Sequence, residues 1–375
     1  MAENRPSIVN VTNRPAQSPE SGIVSILRTA LDDNDDWLSP VDRQTLNNPQ
    51  SNEIEWHDND IVPTNVGLFA SLAKARRDHY DHISLGLIWP LMHEMEKRAE
   101  DALAAMMRDH NGRLKYDTIL QALDERNANY KAYIHRMTQA LSGLEESEKI
   151  CLVHDFTCAG ARMEKARANV YTVHTPWPSL GFLKAVDAGD CALLKTGFFR
   201  QFISDILSYD LVTLHTDRDV RNFMDLVQEI DPKAQIDSYG RINATINDTA
   251  HSCVVKKVHV GIDPDVILRE AETASFLPET REKFIGPISN RKAVLSVARH
   301  DYTKGTIELG QTIDRFFEAN PGQIDHVSFV VIRQSSRNGL DGQTEYQQQT
   351  DRLFQDLRDK YGDAVIYDNK GMSHG

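Results

Sequence analysis

An α/β fold with mainly parallel sheets is predicted by this sequence, and three observations predict it. Short β-rich runs alternate with longer helical patterns. Polar residues gather just past the ends of those runs, where open α/β sheets bind ligands. The length of 375 residues suits two domains of ordinary size, each with its own core.

The elements follow in order. Strands are expected at Ser7–Thr12, Ile83–Ile88, Lys149–Val153, Asn169–Val173, Asp210–Leu214 and Val254–Val260, then at Lys292–Ala298, His326–Ile332 and Ala364–Tyr367. Helical periodicity marks Glu94–Arg108, Asp117–Leu141, Gly181–Ser208, Asp217–Glu229, Gly305–Ala319 and Glu345–Tyr361. In the last of these Tyr346, Thr350, Phe354, Leu357 and Tyr361 repeat near the helical period. The polar stretch 32–60 reads as a loop or insertion. Pro278 and Gly286-Pro287 mark a connection at 271–290, which separates a domain at 1–270 from a second at 291–375.

Composition narrows the function. A net charge of −13 argues against a general nucleic-acid role, so any basic patch must be local. Four cysteines without a CxxC pair point to a reducing compartment and away from structural zinc. No apolar run approaches the roughly 20 residues that span a bilayer, and the N-terminus lacks a secretion signal. A cytoplasmic protein without membrane or nucleic-acid partners is expected; self-association stays open.

The turn after Lys292–Ala298 carries the sharpest chemistry. Arg299 and Lys304 stand five residues apart, and Gly305 opens a helix with Leu309, Ile313, Phe316 and Phe317 on one face. Cations at a helix N-terminus oppose its dipole, so the pair is well placed only beside an anion. Together with free backbone N–H groups they suit a phosphate or diphosphate. Other strands end in Asn13-Arg14, His154-Asp155, His174, His215 and Asp263, and Arg337 follows the eighth. Two such rims facing each other would suit an anionic, two-part ligand. His154-Asp155 lacks a third partner at metal-ligand spacing, so no metal is expected. His79-Tyr80-Asp81-His82 reads as a polar turn, Trp177 as packing, and Asp263 as a brace for the turn before Pro264. His215 stays open between core and rim.

Seven motifs in order resemble those of the trehalose-6-phosphate synthase family of retaining GT-B glycosyltransferases. They are Asn13-Arg14-Pro15, Leu87–His93 (Leu-Ile-Trp-Pro-Leu-Met-His), Val153-His154-Asp155, Val173–Pro178 (Val-His-Thr-Pro-Trp-Pro), Gly261-Ile262-Asp263-Pro264, Arg299–Gly305 (Arg-His-Asp-Tyr-Thr-Lys-Gly) and Ser336-Arg337. The resemblance implies two facing Rossmann-like domains, the N-terminal one on the acceptor side. It also implies transfer of glucose from UDP-glucose or a related nucleotide-sugar to glucose 6-phosphate or another phosphorylated polyol, with no cofactor and no metal. Arg299 and Lys304 would hold the donor diphosphate, His174 the donor glucose, and Gly22 would let backbone approach the donor phosphate. Arg14 and Arg337 would grip the acceptor phosphate, with Tyr80 and Trp89 closing around it, and Asp155 would lie near the reacting hydroxyl. Asp155, Arg299 and Lys304 form the implied catalytic set.

Departures from the family are specific. Ser21-Gly22-Ile23 replaces its Gly-Gly-Leu, Asp155-Phe156-Thr157 its Asp-Tyr-His, and His300 the leucine of Arg-Leu-Asp. The family's second domain continues through an Asp-Gly-Met-Asn-Leu-Val motif and a ribose-binding Glu, neither of which is in these 375 residues. On this resemblance the chain carries about half of that domain and is expected not to catalyse transfer as it stands. Two alternatives follow. One is a non-catalytic regulatory homologue that binds sugar phosphate; the other is a pseudo-glycosyltransferase that joins cyclitol phosphates.

Overall fold

The computed structural model describes residues 6–12, 35–41, 52–55, 61–63, 69–71, 78–95, 130–144, 147–186, 192–273, 286–288, 290–334 and 341–369. Two compact units emerge, Met1–Ile262 and Asp263–Gly375. Arg14, Gly22 and Arg337 lie outside the described residues, as do Cys191 and most of the helices expected over 94–129.

The first unit is built on one sheet. Its strands are β1 (Ile8–Val11), β2 (Asp36–Val41), β3 (Asn52–Glu55), β6 (Ile150–His154), β7 (Ala168–Thr172), β8 (Leu211–Leu214), β9 (Gln235–Ile236), β10 (Arg241–Ile246) and β11 (Thr249–Lys257). They lie side by side in the order β3-β2-β1-β6-β7-β8-β11-β10-β9. From β3 to β11 every pairing is parallel. The central parallel strands bury Val9, Val11, Cys151, Val153, Tyr171, Val212 and Leu214, and in β1 and β8 the residues between them, Asn10 and Thr213, are buried as well. Strand order reverses between β1 and β6. That is the switch point at whose carboxyl end α/β sheets take their ligands. A separate ribbon pairs β4 (Ile61–Pro63) with β5 (Phe69–Ser71).

Three expectations are corrected here. The stretch 32–60 contributes two parallel strands, β2 and β3, and is no simple loop. Pro40 within β2 disguised it, because proline is rare in an interior strand. Ile83–Ile88 is helical: a widely wound helix, α1 (Asp78–Ile88), continues as a tighter turn over Trp89–Met92. Its apolar run is buried all round, and a short run of that kind does not distinguish helix from strand by period. Gly181–Ser208 breaks into Leu180–Val186, Ala192–Lys195 and α2 (Gly197–Leu207), the last capped by Thr196.

The strand expected at Val254–Val260 begins earlier and is half of a hairpin. β10 and β11 pair antiparallel around Asn247 and Asp248, at φ 51° and 60°. Two successive left-handed residues make the turn whose twist matches a hairpin, and Asn and Asp tolerate that conformation.

The second unit holds β12 (Lys292–Arg299), β13 (Val327–Gln334) and β14 (Val365–Asp368), in the order β12-β13-β14 and all parallel. Two helices cover it, α5 (Thr306–Ala319) and α6 (Asp341–Tyr361); α4 (Pro264–Thr273) precedes it, and α3 (Asp217–Ile230) belongs to the first unit. Ile313 and Phe317 of α5 meet Phe354, Leu357 and Tyr361 of α6 over Val331 and Val365. That is the apolar stripe the 3.6-residue period predicts.

Candidate functional site

At the switch point of the first unit three imidazoles stand in a row. His154 ends β6, His174 follows β7 and His215 follows β8. His154 Nδ1 lies 2.8 Å from His174 Nε2, and the two rings stack at 19°. His215 meets the His174 ring edge-on at 5.7 Å between centroids. On the other side, His154 Nε2 lies 2.7 Å from the Oδ1 of Asn10, a fully buried residue of β1.

These rings are neutral. Burial lowers the pKa of His154 to about 3, and the neighbouring His174 adds to the fall. Burial lowers His174 to about 4, with His215 as a lesser cause. His215 is also lowered, first by burial and then by His259, against the pull of Asp219. An uncharged imidazole that keeps one N–H and one lone pair suits sugar hydroxyls rather than phosphate.

Two local devices hold this row. Thr216 caps α3 in a capping box: its hydroxyl accepts the Asp219 N–H, and the Asp219 carboxylate accepts the Thr216 N–H. The same carboxylate accepts the Trp177 N–H at 2.9 Å, which ties the loop carrying His174 to the helix that follows His215. Trp177 is buried edge-on against Phe223, as its packing reading expects.

Asp155, one residue past His154, has φ 66° and ψ 162°. That region is essentially reserved for glycine and costs a side-chain-bearing residue about 1–3 kcal/mol. The surroundings enforce it: the Asp155 N–H donates to Thr172 O at 2.9 Å, and Cys158 N–H donates back to Asp155 O at 3.2 Å. The carboxylate accepts the Phe156 N–H at 3.1 Å and remains half-buried. Phe156 and Thr157, which depart from the family pattern, are core residues; Thr157 O accepts from the buried His79, and Phe156 lies 6.2 Å from Trp89.

Tyr80 and Trp89 lie on the helical segment 78–92, Tyr80 half-buried and Trp89 6% exposed against the His93 ring at 4.1 Å. Trp89 is therefore mainly packed.

In the second unit the turn has the expected form. β12 ends at Arg299, Tyr302–Lys304 makes one tight turn, and Gly305 at φ 60° starts α5 without a side-chain cap. Asp301 shapes that turn, its Oδ1 accepting the N–H and hydroxyl of Thr303 at 3.0 and 2.9 Å. Arg299 is half-buried and Lys304 exposed. Beneath them lies Arg333, only 1% exposed, which donates to Thr306 Oγ1, Ser296 O, Ser296 Oγ and Ile332 O. His300, buried where the family has leucine, lies 6.2 Å from the Tyr346 ring, and burial keeps it neutral.

Each unit thus brings its own predicted residues to one strand edge: His154, Asp155 and His174 in the first, Arg299 and Lys304 in the second. Asn10 and Arg333 were missed. A polar side chain within an apolar strand run was the available signal for both. Cys151, Cys158 and Cys253 are buried and free, with thiols pushed up to about 12 by burial. Among the described residues no helix is long and apolar enough to cross a membrane, and no cluster of His, Cys, Asp or Glu could hold a metal ion.

Comparison with known proteins places this geometry. A family model for glycosyltransferase family 20 matches residues 12–368. An alpha,alpha-trehalose-phosphate synthase (UDP-forming) of Encephalitozoon cuniculi is 21% identical over 294 residues, covering 76% of this chain and 52% of that protein. A trehalose-6-phosphate synthase of Sinorhizobium fredii is 20% identical over 352 residues, covering 88% and 64%. The chain thus spans about half the length of the first of these relatives and less than two thirds of the second. Among solved structures, an alpha,alpha-trehalose-phosphate synthase of Burkholderia xenovorans in complex with glucose-6-phosphate superposes with TM-score 0.70 at 19% identity, covering 98% of this chain and 75% of that one. A structure described as trehalose-6-phosphate from E. coli bound with UDP-2-fluoro glucose gives 0.68 at 17%, covering 98% and 74%. At such identities the likeness shows the fold, which is GT-B, with two α/β units and mainly parallel sheets.

Proposed function

The chain belongs to glycosyltransferase family 20, and from that premise we propose that it serves transfer of glucose from UDP-glucose to glucose 6-phosphate, giving trehalose 6-phosphate. The relatives named as UDP-forming synthases and the solved structures holding glucose-6-phosphate and UDP-2-fluoro glucose support those two substrates. The observation that carries the proposal is the turn from Arg299 to Lys304, which runs into the N-terminus of α5, where Gly305 supplies no side-chain cap and the buried Thr306 N–H is donated across to the Tyr346 hydroxyl at 3.0 Å.

Chemically, the departing UDP must carry one further negative charge as the glucosyl bond breaks. Arg299, Lys304 and the N-terminal end of the α5 dipole neutralise that charge in the role a divalent metal plays elsewhere, each charge-assisted bond contributing roughly 1.5–3 kcal/mol. The diphosphate oxygen then takes the proton of the attacking hydroxyl on the face it leaves, so the anomeric configuration is retained without a covalent enzyme intermediate. Asp155 orients that hydroxyl, and its strained backbone keeps the carboxylate there. His174 meets the donor glucose with a neutral ring. Arg14 and Arg337 serve the acceptor phosphate, Tyr80 lines its entry, and Gly22 passes the donor phosphate.

The test is product formation. The product of the whole open reading frame, given both UDP-glucose and glucose 6-phosphate, should release UDP and an α,α-linked disaccharide phosphate in equal amounts, and neither when one substrate is withheld. Binding of neither substrate in calorimetry, together with no UDP release, overturns the proposal.

A further inference from the structure

The relay Asn10–His154–His174 has a direction, and its direction decides what His174 can offer a ligand. The Oδ1 of Asn10 can only accept, so the 2.7 Å contact puts the proton of His154 on Nε2. A neutral His154 then has a lone pair at Nδ1, and the 2.8 Å contact is donated by the Nε2–H of His174. A neutral His174 with its proton on Nε2 has a bare lone pair at Nδ1. Burial supplies the neutrality on which each step depends.

We propose that Asn10 and His154 are positioning residues that lock the tautomer of His174, so that His174 accepts a hydrogen bond from a sugar hydroxyl through Nδ1. The proposal deepens the functional reading given above and rests on it for the identity of the sugar; the relay itself does not depend on that reading. The device is economical in position. Asn10 sits on β1 and His154 on β6, the two strands flanking the switch point, with His154 two residues past the register partner of Asn10 in one parallel pair. Asn10 is fully buried and its amide nitrogen has no partner among the described residues, so the contact at Oδ1 is what sets the polarity. Turning that one amide over would reverse both hydrogen bonds and make Nδ1 of His174 a donor. The choice is therefore binary, and it is made two hydrogen bonds away from the ring that meets the ligand. A hydroxyl meets the lone pair as donor; a fluorine, methoxy group or hydrogen in its place leaves the lone pair unmet.

Ring nitrogens report the tautomer directly. In the full chain with ring-15N histidine, at neutral pH and without ligand, long-range 1H–15N spectra should show both His154 and His174 protonated at Nε2. In Asn10→Leu, which keeps the side-chain size but offers no acceptor, both histidines should move to mixed tautomers. His174 should change even though position 10 reaches it only through His154. The same variant should bind UDP-glucose about tenfold more weakly, the equivalent of one hydrogen bond, while inorganic diphosphate binding stays unchanged. Protonation of both rings at Nδ1 in the unaltered protein overturns the proposal, and that spectrum is available even if Asn10→Leu fails to fold. An unchanged His174 beside an altered His154 overturns it too. If the spectra behave as expected but UDP-glucose does not bind the unaltered protein, the functional reading fails while the relay stands.

Discussion

The two strand edges that carry the candidate chemistry solve opposite electrostatic problems. At the edge of the first unit, polar groups are buried and stripped of charge: His154, His174 and His215 all have lowered affinity for a proton. At the edge of the second, charge is kept: Lys304 is exposed, Arg299 half-buried, and even the buried Arg333 satisfies its guanidinium with hydroxyl and carbonyl oxygens. Neutral groups suit hydroxyls, which need directional hydrogen bonds; cations suit a diphosphate, which needs neutralisation. On the proposed function the contrast separates recognition of the sugar from handling of the leaving group.

The largest expected effect breaks the cationic side. In the full-length enzyme Arg299→Ala and Lys304→Ala should each lower turnover by about 10²–10³ at saturating donor, the cost of removing one transition-state donor. Thermal midpoints should hardly move, because neither side chain is in a core. Near-normal turnover in either variant would remove the diphosphate assignment.

Acid should expose the neutral side next. A free imidazole titrates near 6.5, whereas His79 and His174 are held at about 4 and His154 at about 3. Between those values the unfolded chain binds protons that the folded chain refuses. The stability these groups contribute is therefore full above about pH 6.5 and declines toward pH 4 and below. Urea midpoints measured from neutral pH downward should fall through that window. His79→Phe, with one such ring fewer, should fall less steeply. A flat profile would mean the rings are not neutralised by burial.

The smallest effect concerns Asp155, which joins the two problems by placing a carboxylate beside the neutral row. Asp155→Gly relieves the backbone at φ 66° and should raise stability by about 1 kcal/mol, after the greater unfolded-state freedom of glycine is subtracted. The same change should reduce turnover with glucose 6-phosphate. A loss of stability instead would show that the carboxylate, through its bond to the Phe156 N–H, outweighs the strain.

Much of the second edge was legible in the chain. Arg299, Lys304 and Gly305 lie within seven residues, and a strand, a turn and a helix start are local features with local signals. The start of a helix at Gly305 was legible from that stretch alone, whereas the bond from Thr306 N–H to the Tyr346 hydroxyl, 40 residues on, was not. The first edge was legible only in part. His154, Asp155 and His174 could be placed at strand ends, but no spacing links Asn10 to His154 across 144 positions. The fold had its own blind spots: Pro40 hid β2, and a run buried on every side made α1 resemble a strand.

By itself the sequence determined the alternation of strands and helices, the ordered motifs that mark the family, and the cationic turn, because each depends on residues close together in the chain. The tertiary structure alone decided that β1 lies beside β6, that Asn10 therefore meets His154, that the histidines are buried enough to stay neutral, and that Asp155 is held in a glycine conformation. Those properties come from long-range packing. Proton affinity, tautomer and backbone strain belong to an environment, and that environment is assembled only when distant strands come together.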